Sequence, residues 1–99
     1  ENIKDGDLIT LKLASGEEVI ANYKGGTDSH VSIEKALVLM QGPQGLAFGT
    51  WMATAKQDEP INISKDNIIA ACQINDKIRE EYKRVFSTIK TPAKPSIIT

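Results

Sequence analysis

"DLITLKLASGEEVIANYK", residues 7–24, decides how this chain is read. Ile9, Leu11 and Leu13 fall on one face of an extended run, with Thr10 and Lys12 on the other. After Ser15-Gly16, Val19, Ala21 and Tyr23 share one face, and Glu18, Asn22 and Lys24 the opposite one. Two alternating runs joined by a tight serine–glycine turn predict a β-hairpin.

Working outward, Gly25 and Gly26 break or sharply bend the second strand. "HVSIEKALVLMQ" (30–41) is strand-like again. Val31, Ile33, Leu37 and Leu39 share parity, and Lys35 is the exception. "GPQG" is a loop, and "LAFGTWMATA" (46–55) has strand composition, with Gly49 marking a bulge or a close approach. "INI" (61–63), "SKDN" (64–67) and "IIAACQI" (68–74) read as strand, tight turn, strand. About five strands with turns at close intervals predict a small barrel or sandwich.

The pattern changes at residue 75. In "NDKIREEYKRVFSTIK" (75–90), Ile78, Tyr82, Val85, Phe86 and Ile89 recur with helical period. Asn75 or Asp76 can cap the start, and Glu80 can pair with Arg84 one turn on. The polar face mixes both signs, so the stripe should pack on protein rather than on a lipid surface. The expected organisation is one domain: strands over 1–74, an amphipathic helix over 75–90, and a loose tail over 91–99 after Pro92.

Composition narrows the function classes. Twelve Lys+Arg against thirteen Asp+Glu give a net charge of −1. Phosphate-neutralising proteins carry a basic excess, so any nucleic-acid contact must be local. One cysteine, Cys72, excludes an internal disulfide and reads as a small core residue. One His and one Cys are too few for a metal site within one chain. Residues 36–55 carry no charge, but Gly42–Gly45 divide them, and a spanning helix needs roughly twenty continuous apolar residues. No signal-peptide pattern is present. The expectation is a cytoplasmic protein with no membrane partner, no cofactor and no small-molecule substrate.

Asp28, Ser29 and His30 stand in a row, as if a catalytic triad had been written out. A triad must converge in space, and neighbours in a strand point to alternate faces. Ser29 and His30 should therefore diverge if the strand has begun, and with one His in the chain and no other nucleophile arrangement the row argues against an enzyme. Gly25-Gly26 lacks the spacing of a phosphate-binding loop and precedes a strand rather than a helix. The uncharged 46–55 segment, with Phe48, Trp51 and Met52, lacks the charges that protect an edge strand. It should lie centrally or be covered by another subunit.

From about Asp7 to Gln73 the chain resembles the Sm-like proteins, which include the bacterial Sm-like RNA chaperone. "LKLASGEEVIANYKGGTDSHVSIEKALVL" resembles the family's first motif: Gly16 stands at the turn, Asp28 at the aspartate, His30 at the ring-bearing position and Ser32 at the asparagine. "INISKDNIIAACQI" resembles the second motif, with Ser64-Lys65 where Arg-Gly is usual. The family usually opens with a helix, whereas here the helix comes last. These departures look like the divergent Sm-like proteins of phages, cyanophage examples among them.

The resemblance implies a mainly β fold: a small five-stranded, strongly bent antiparallel Sm-like (SH3-like) barrel with a C-terminal α-helix. It implies a homo-oligomeric ring closed by strand pairing between subunits, with Phe48, Trp51, Met52, Ile69 and Ala71 at the interface. It also implies single-stranded RNA at the pore. His30 would stack on a base, Asp28 orient the turn, Ser32 make one hydrogen bond, Lys65 supply charge and Asn67 cap the second turn. The alternative is the same ring as an assembly scaffold without RNA.

Overall fold

The structure is a computed structural model that describes residues 3–56 and 58–89. It is mainly β: an antiparallel sheet followed by one helix. The strands are β1 (Leu8–Leu13), β2 (Glu18–Gly26), β3 (His30–Gly42), β4 (Gly45–Thr50), β5 (Ile61–Ser64) and β6 (Ile68–Gln73). A single 3-10 turn, Lys65–Asn67, joins β5 to β6, and the helix α1 spans Asp76–Ile89. The expected loose tail at 91–99 lies outside the described residues.

The ladder runs β4-β3-β2-β1-β6, and β5 pairs with β3 beside β4. No ladder joins β5 to β6, so the sheet is not closed into a barrel. The hairpin at 7–24 forms in the register its alternation demands, with Leu11 opposite Val19 and Ile9 opposite Ala21. One apolar cluster lies on one face: Ile9, Leu11, Leu13, Val19, Ala21, Ile33, Ala36 and Ile63.

A second cluster lies on the opposite face. Leu8, Ile20 and Leu37 are buried there with Ile74 and Tyr82, flanked by Leu39, Phe48, Ile78, Val85 and Phe86. The helical stripe thus packs on the chain's own sheet. Fully burying side chains such as Ile20 and Leu37 contributes roughly 1.5–3 kcal/mol each. Asn75 caps the helix, its Oδ1 accepting from the Ile78 amide at 2.8 Å. Arg84 donates to Glu81 on the exposed face.

Leu37 and Leu39 do not share a face with Val31 and Ile33, contrary to the parity read from the sequence. Between Ile20↔Leu37 and Asn22↔Glu34, β2 advances two residues while β3 advances three. Lys35 and Ala36 together oppose Ala21, which is a β-bulge. Lys35 has φ 56°, and its side chain is exposed. The extra residue turns the rest of β3 over, so Ala36 joins the first cluster and Leu37 the second. Tyr82 holds the bulge: its hydroxyl donates to the Lys35 carbonyl at 2.6 Å, and its ring lies 4.8 Å from that of Phe86.

The glycines at 25–26 bend β2 without ending it. Lys24 and Gly25 form a second bulge opposite Ser32, with Gly25 at φ +98°. A Cβ on Gly26 would lie 2.7 Å from the His30 carbonyl oxygen, so only glycine fits. Gly49 makes the close approach expected of it: a Cβ there would meet the Met40 side chain at 2.8 Å. Cys72 is not a core residue. It sits opposite Thr10 on the last strand of the ladder, and that strand is exposed over most of its length.

Removing the Tyr82 hydroxyl leaves the Lys35 carbonyl without its donor. Tyr82→Phe is expected to lower stability by about 1–2 kcal/mol in urea unfolding. Burial raises the Tyr82 pKa above its ordinary value near 10. The neutral phenol's contribution is then fully present below about pH 10 and is lost as pH rises towards the folded value. Above about pH 10, stability should fall more steeply in the wild type than in Tyr82→Phe.

Candidate nucleic-acid interface

The two stretches that resemble the family motifs meet in space. The turn Thr27–Ser29 joins β2 to β3, and the 3-10 turn Lys65–Asn67 joins β5 to β6. The Lys65 amide donates to the Ser29 carbonyl at 2.8 Å, so the turns lie side by side. Antiparallel pairing of β3 with β5 puts His30 opposite Ser64 and Ser32 opposite Asn62. Val31, Ile33, Ile61 and Ile63 pack in or against the first cluster. By strand alternation, His30, Ser32, Asn62 and Ser64 therefore project from the other face.

Each expected residue has a definite place. His30 is exposed at the start of β3. Its Nδ1 lies 2.9 Å from the Ser29 hydroxyl. The two side chains therefore meet rather than diverge, because Ser29 precedes the strand and alternation does not govern it. Among the described residues no carboxylate bonds the ring, so the pair lacks the third group that orients an imidazole in a triad. Asp28 is exposed. The hydroxyl that organises this turn belongs to Thr27, whose Oγ1 accepts from the Ser29 amide at 3.2 Å and the His30 amide at 3.1 Å.

Lys65 is exposed and also lines a cavity of about 350 Å³ walled by Ile9, Leu11, Tyr23, Val31 and Ile68. Its apolar stem can follow that wall while the ammonium stays in water. Asn67 does not cap the second turn. Ser64 does, accepting from the Asp66 amide at 3.2 Å. The Asn67 carbonyl instead accepts from Ala14 at 2.7 Å, and Asn67 lines a different cavity with Ser15, Glu17 and Trp51.

The residues expected at a subunit interface divide into two groups. Phe48 packs against the second cluster and Trp51 against the first, where its indole N–H donates to Glu17 at 3.3 Å. Both are half-buried within the chain. Met52, Ile69 and Ala71 are exposed, Ile69 to 67%. Ile69 is the extra residue of a third bulge, where β6 shifts register against Lys12 and Leu13.

Sequence reasoning missed Asn62, whose Oδ1 accepts from the Ser32 hydroxyl at 2.6 Å. The alternation of "INIS" marks Asn62 as outward-facing, but its partner lies 30 residues away. Among the described residues no group of three or more His, Cys, Asp or Glu could hold a metal, and no helix is long and apolar enough to cross a membrane. No protein-family model matches the chain, and no curated protein matches it.

The site can offer one imidazole face, a hydroxyl, an amide and one ammonium, set on a paired strand edge. Thr27→Val removes the acceptor that holds the first turn. Hydrogen exchange at the Ser29 and His30 amides should then speed up about fivefold, the equivalent of one ordinary hydrogen bond. The Ile33 amide should be unaffected. Equal exchange at all three positions in both proteins would show that Thr27 does not hold the turn.

Proposed function

We propose that this chain is a non-enzymatic Sm-like subunit. Copies pair edge to edge into a homo-oligomeric ring that holds single-stranded RNA where the two turns meet. The antiparallel sheet serves as the small bent barrel of such a subunit. The observation that carries the reading is the Lys65–Ser29 backbone bond, which joins the two stretches on which the resemblance rests. They are far apart in sequence, and nothing in the composition requires them to meet.

The strand order supports self-association. β6 ends one side of the sheet, and β4 ends the other. Pairing β4 of one copy with β6 of the next is a heterologous contact, which closes into a ring when the rotation allows. Exposed Leu46 on β4 and exposed Ile69 and Ala71 on β6 supply apolar cover along those edges. At the site, His30 stacks on a base and Lys65 faces phosphate, a sequence-tolerant way to hold a single strand. Near-neutral net charge, with serine at positions 32 and 64, favours the second reading, in which the ring is a protein scaffold without RNA.

Two experiments test this. Native mass spectrometry should give a multiple of the 10.8 kDa subunit, and Ile69→Lys should shift it towards one subunit. A wild-type mass of one subunit would refute the ring. Labelled U-rich and A-rich single strands should bind at low salt and weaken as salt rises. His30→Ala should weaken binding by about tenfold without changing the native mass. No binding at low salt would leave the scaffold reading in place of the RNA one.

A further inference from the structure

The cavity of about 350 Å³ beside Lys65 opens on the first cluster, on the side of the sheet opposite the helix. Residues from β1, β2, β3, β6 and the 3-10 turn wall it. Ile3, Tyr23, Val31 and Ile68 are all half-buried around it, so four large side chains leave apolar surface uncovered in one place. The space exists because β6 offers a small side chain there. Ala71 stands opposite Leu11 and shares its face, where a larger residue would fill the gap. Two polar groups border the apolar wall. Lys65 is the one charged residue lining it among the described residues, and Tyr23 brings a hydroxyl. Neither side chain has a hydrogen-bond or ion-pair partner among the described residues. A half-buried phenol ordinarily bonds its hydroxyl. An apolar wall with a few polar groups at its border is the usual make-up of a small-ligand site.

We propose that this cavity binds a free medium-chain carboxylate, with its alkyl chain against Ile9, Val31 and Ile68 and its head at Lys65 and Tyr23. The lining sets each part of that ligand. Aliphatic walls favour a hydrocarbon chain, which leaves water on entering. One ammonium and one free hydroxyl are both donors, and a carboxylate accepts from both. The volume sets the length: at about 30 Å³ for each water-sized group, the cavity holds about ten non-hydrogen atoms, the size of octanoate. A membrane lipid with two long chains exceeds that volume, so the source is a free amphiphile. The cavity lies within one chain, and the inference depends on neither the ring nor the RNA reading.

The test is an NMR titration of the full chain, methyl-labelled at Ile, Leu and Val, with octanoate below its micelle concentration. Saturable shifts should appear at Ile9, Leu11, Val31 and Ile68, and none at Ile20 and Leu37 on the opposite face. Hexanoate should bind about tenfold more weakly, because it buries two fewer methylenes. Octanol lacks the charge and should bind about threefold more weakly than octanoate, and Lys65→Gln should erase that difference. Ala71→Trp fills the cavity and should abolish the shifts, with circular dichroism reporting whether that variant folds. Lys65 is exposed, so Lys65→Gln keeps the test intact if Ala71→Trp does not fold. No shift at millimolar octanoate overturns the proposal, and a cavity already filled by a second copy would give that result. Equal shifts at Ile20 and Leu37, or equal binding of hexanoate, would show non-specific association and overturn it too. A preference for octanoate over octanol that survives Lys65→Gln would overturn the carboxylate assignment.

Discussion

The hydrogen bond from Tyr82 to the Lys35 carbonyl fastens the one irregularity on which the two-sided structure depends. A thirteen-residue strand with strict alternation would bury one face and expose the other. β3 does more, because the bulge at Lys35–Ala36 lets its first half serve the first cluster and its second half serve both clusters. A bulge leaves backbone groups outside the ladder, and a left-handed lysine adds strain. The buried phenol satisfies the freed carbonyl, and the helix carrying it covers Leu37 and Ile20. Helix and bulge therefore stabilise each other. The helix needs an apolar sheet face to cover, and the bulge provides that face.

The same reasoning extends to the other two bulges. Lys24–Gly25 bends β2 just before the turn at Thr27–Ser29, and the register shift at Ile69 lies just after the 3-10 turn. Both bends occur where the strands leave the first cluster for the site. β5 follows β3 only from His30 to Ile33, and β4 follows it from Leu37 to Gly42. The bulge at Lys35 falls between the two, so one strand presents an edge to β5 near the turns and to β4 at its far end. The candidate site and the free edge are thereby held apart on a single strand.

Local signals were legible in the sequence. The hairpin, the Asn75 cap, the helical stripe and the tight approach at Gly49 each depend on contacts between near neighbours or on one residue type. What was hidden depends on counting across strands. Leu37 and Leu39 alternate correctly with Val31 and Ile33 on paper, and only the unpaired Lys35 reveals the change of face. That lysine was visible as an exception, but an exception to parity can be a tolerated surface residue as easily as a bulge. Cys72 was misplaced because burial of a small residue depends on whether its strand is central, which composition does not encode. Whether Ser29 and His30 diverge turns on where β3 begins, and Ser29 lies one residue before it. Asn62 is overlooked for the most general reason: its bond to Ser32 exists only in the β3–β5 register.

A near-neutral chain that holds RNA must work differently from a basic one. The chain carries one lysine and one imidazole at the candidate site, alongside Asp28 and Asp66 in the same turns. In the proposed RNA-binding reading, net phosphate neutralisation per chain is small, so counterion release contributes little. Stacking and edge contacts must then supply most of the affinity, at about 1–3 kcal/mol per base. One such site is weak alone. In the proposed ring the site recurs with every subunit at fixed spacing, and a strand already held at one copy meets the next at high effective concentration. Self-association and RNA binding are thus one requirement in this reading.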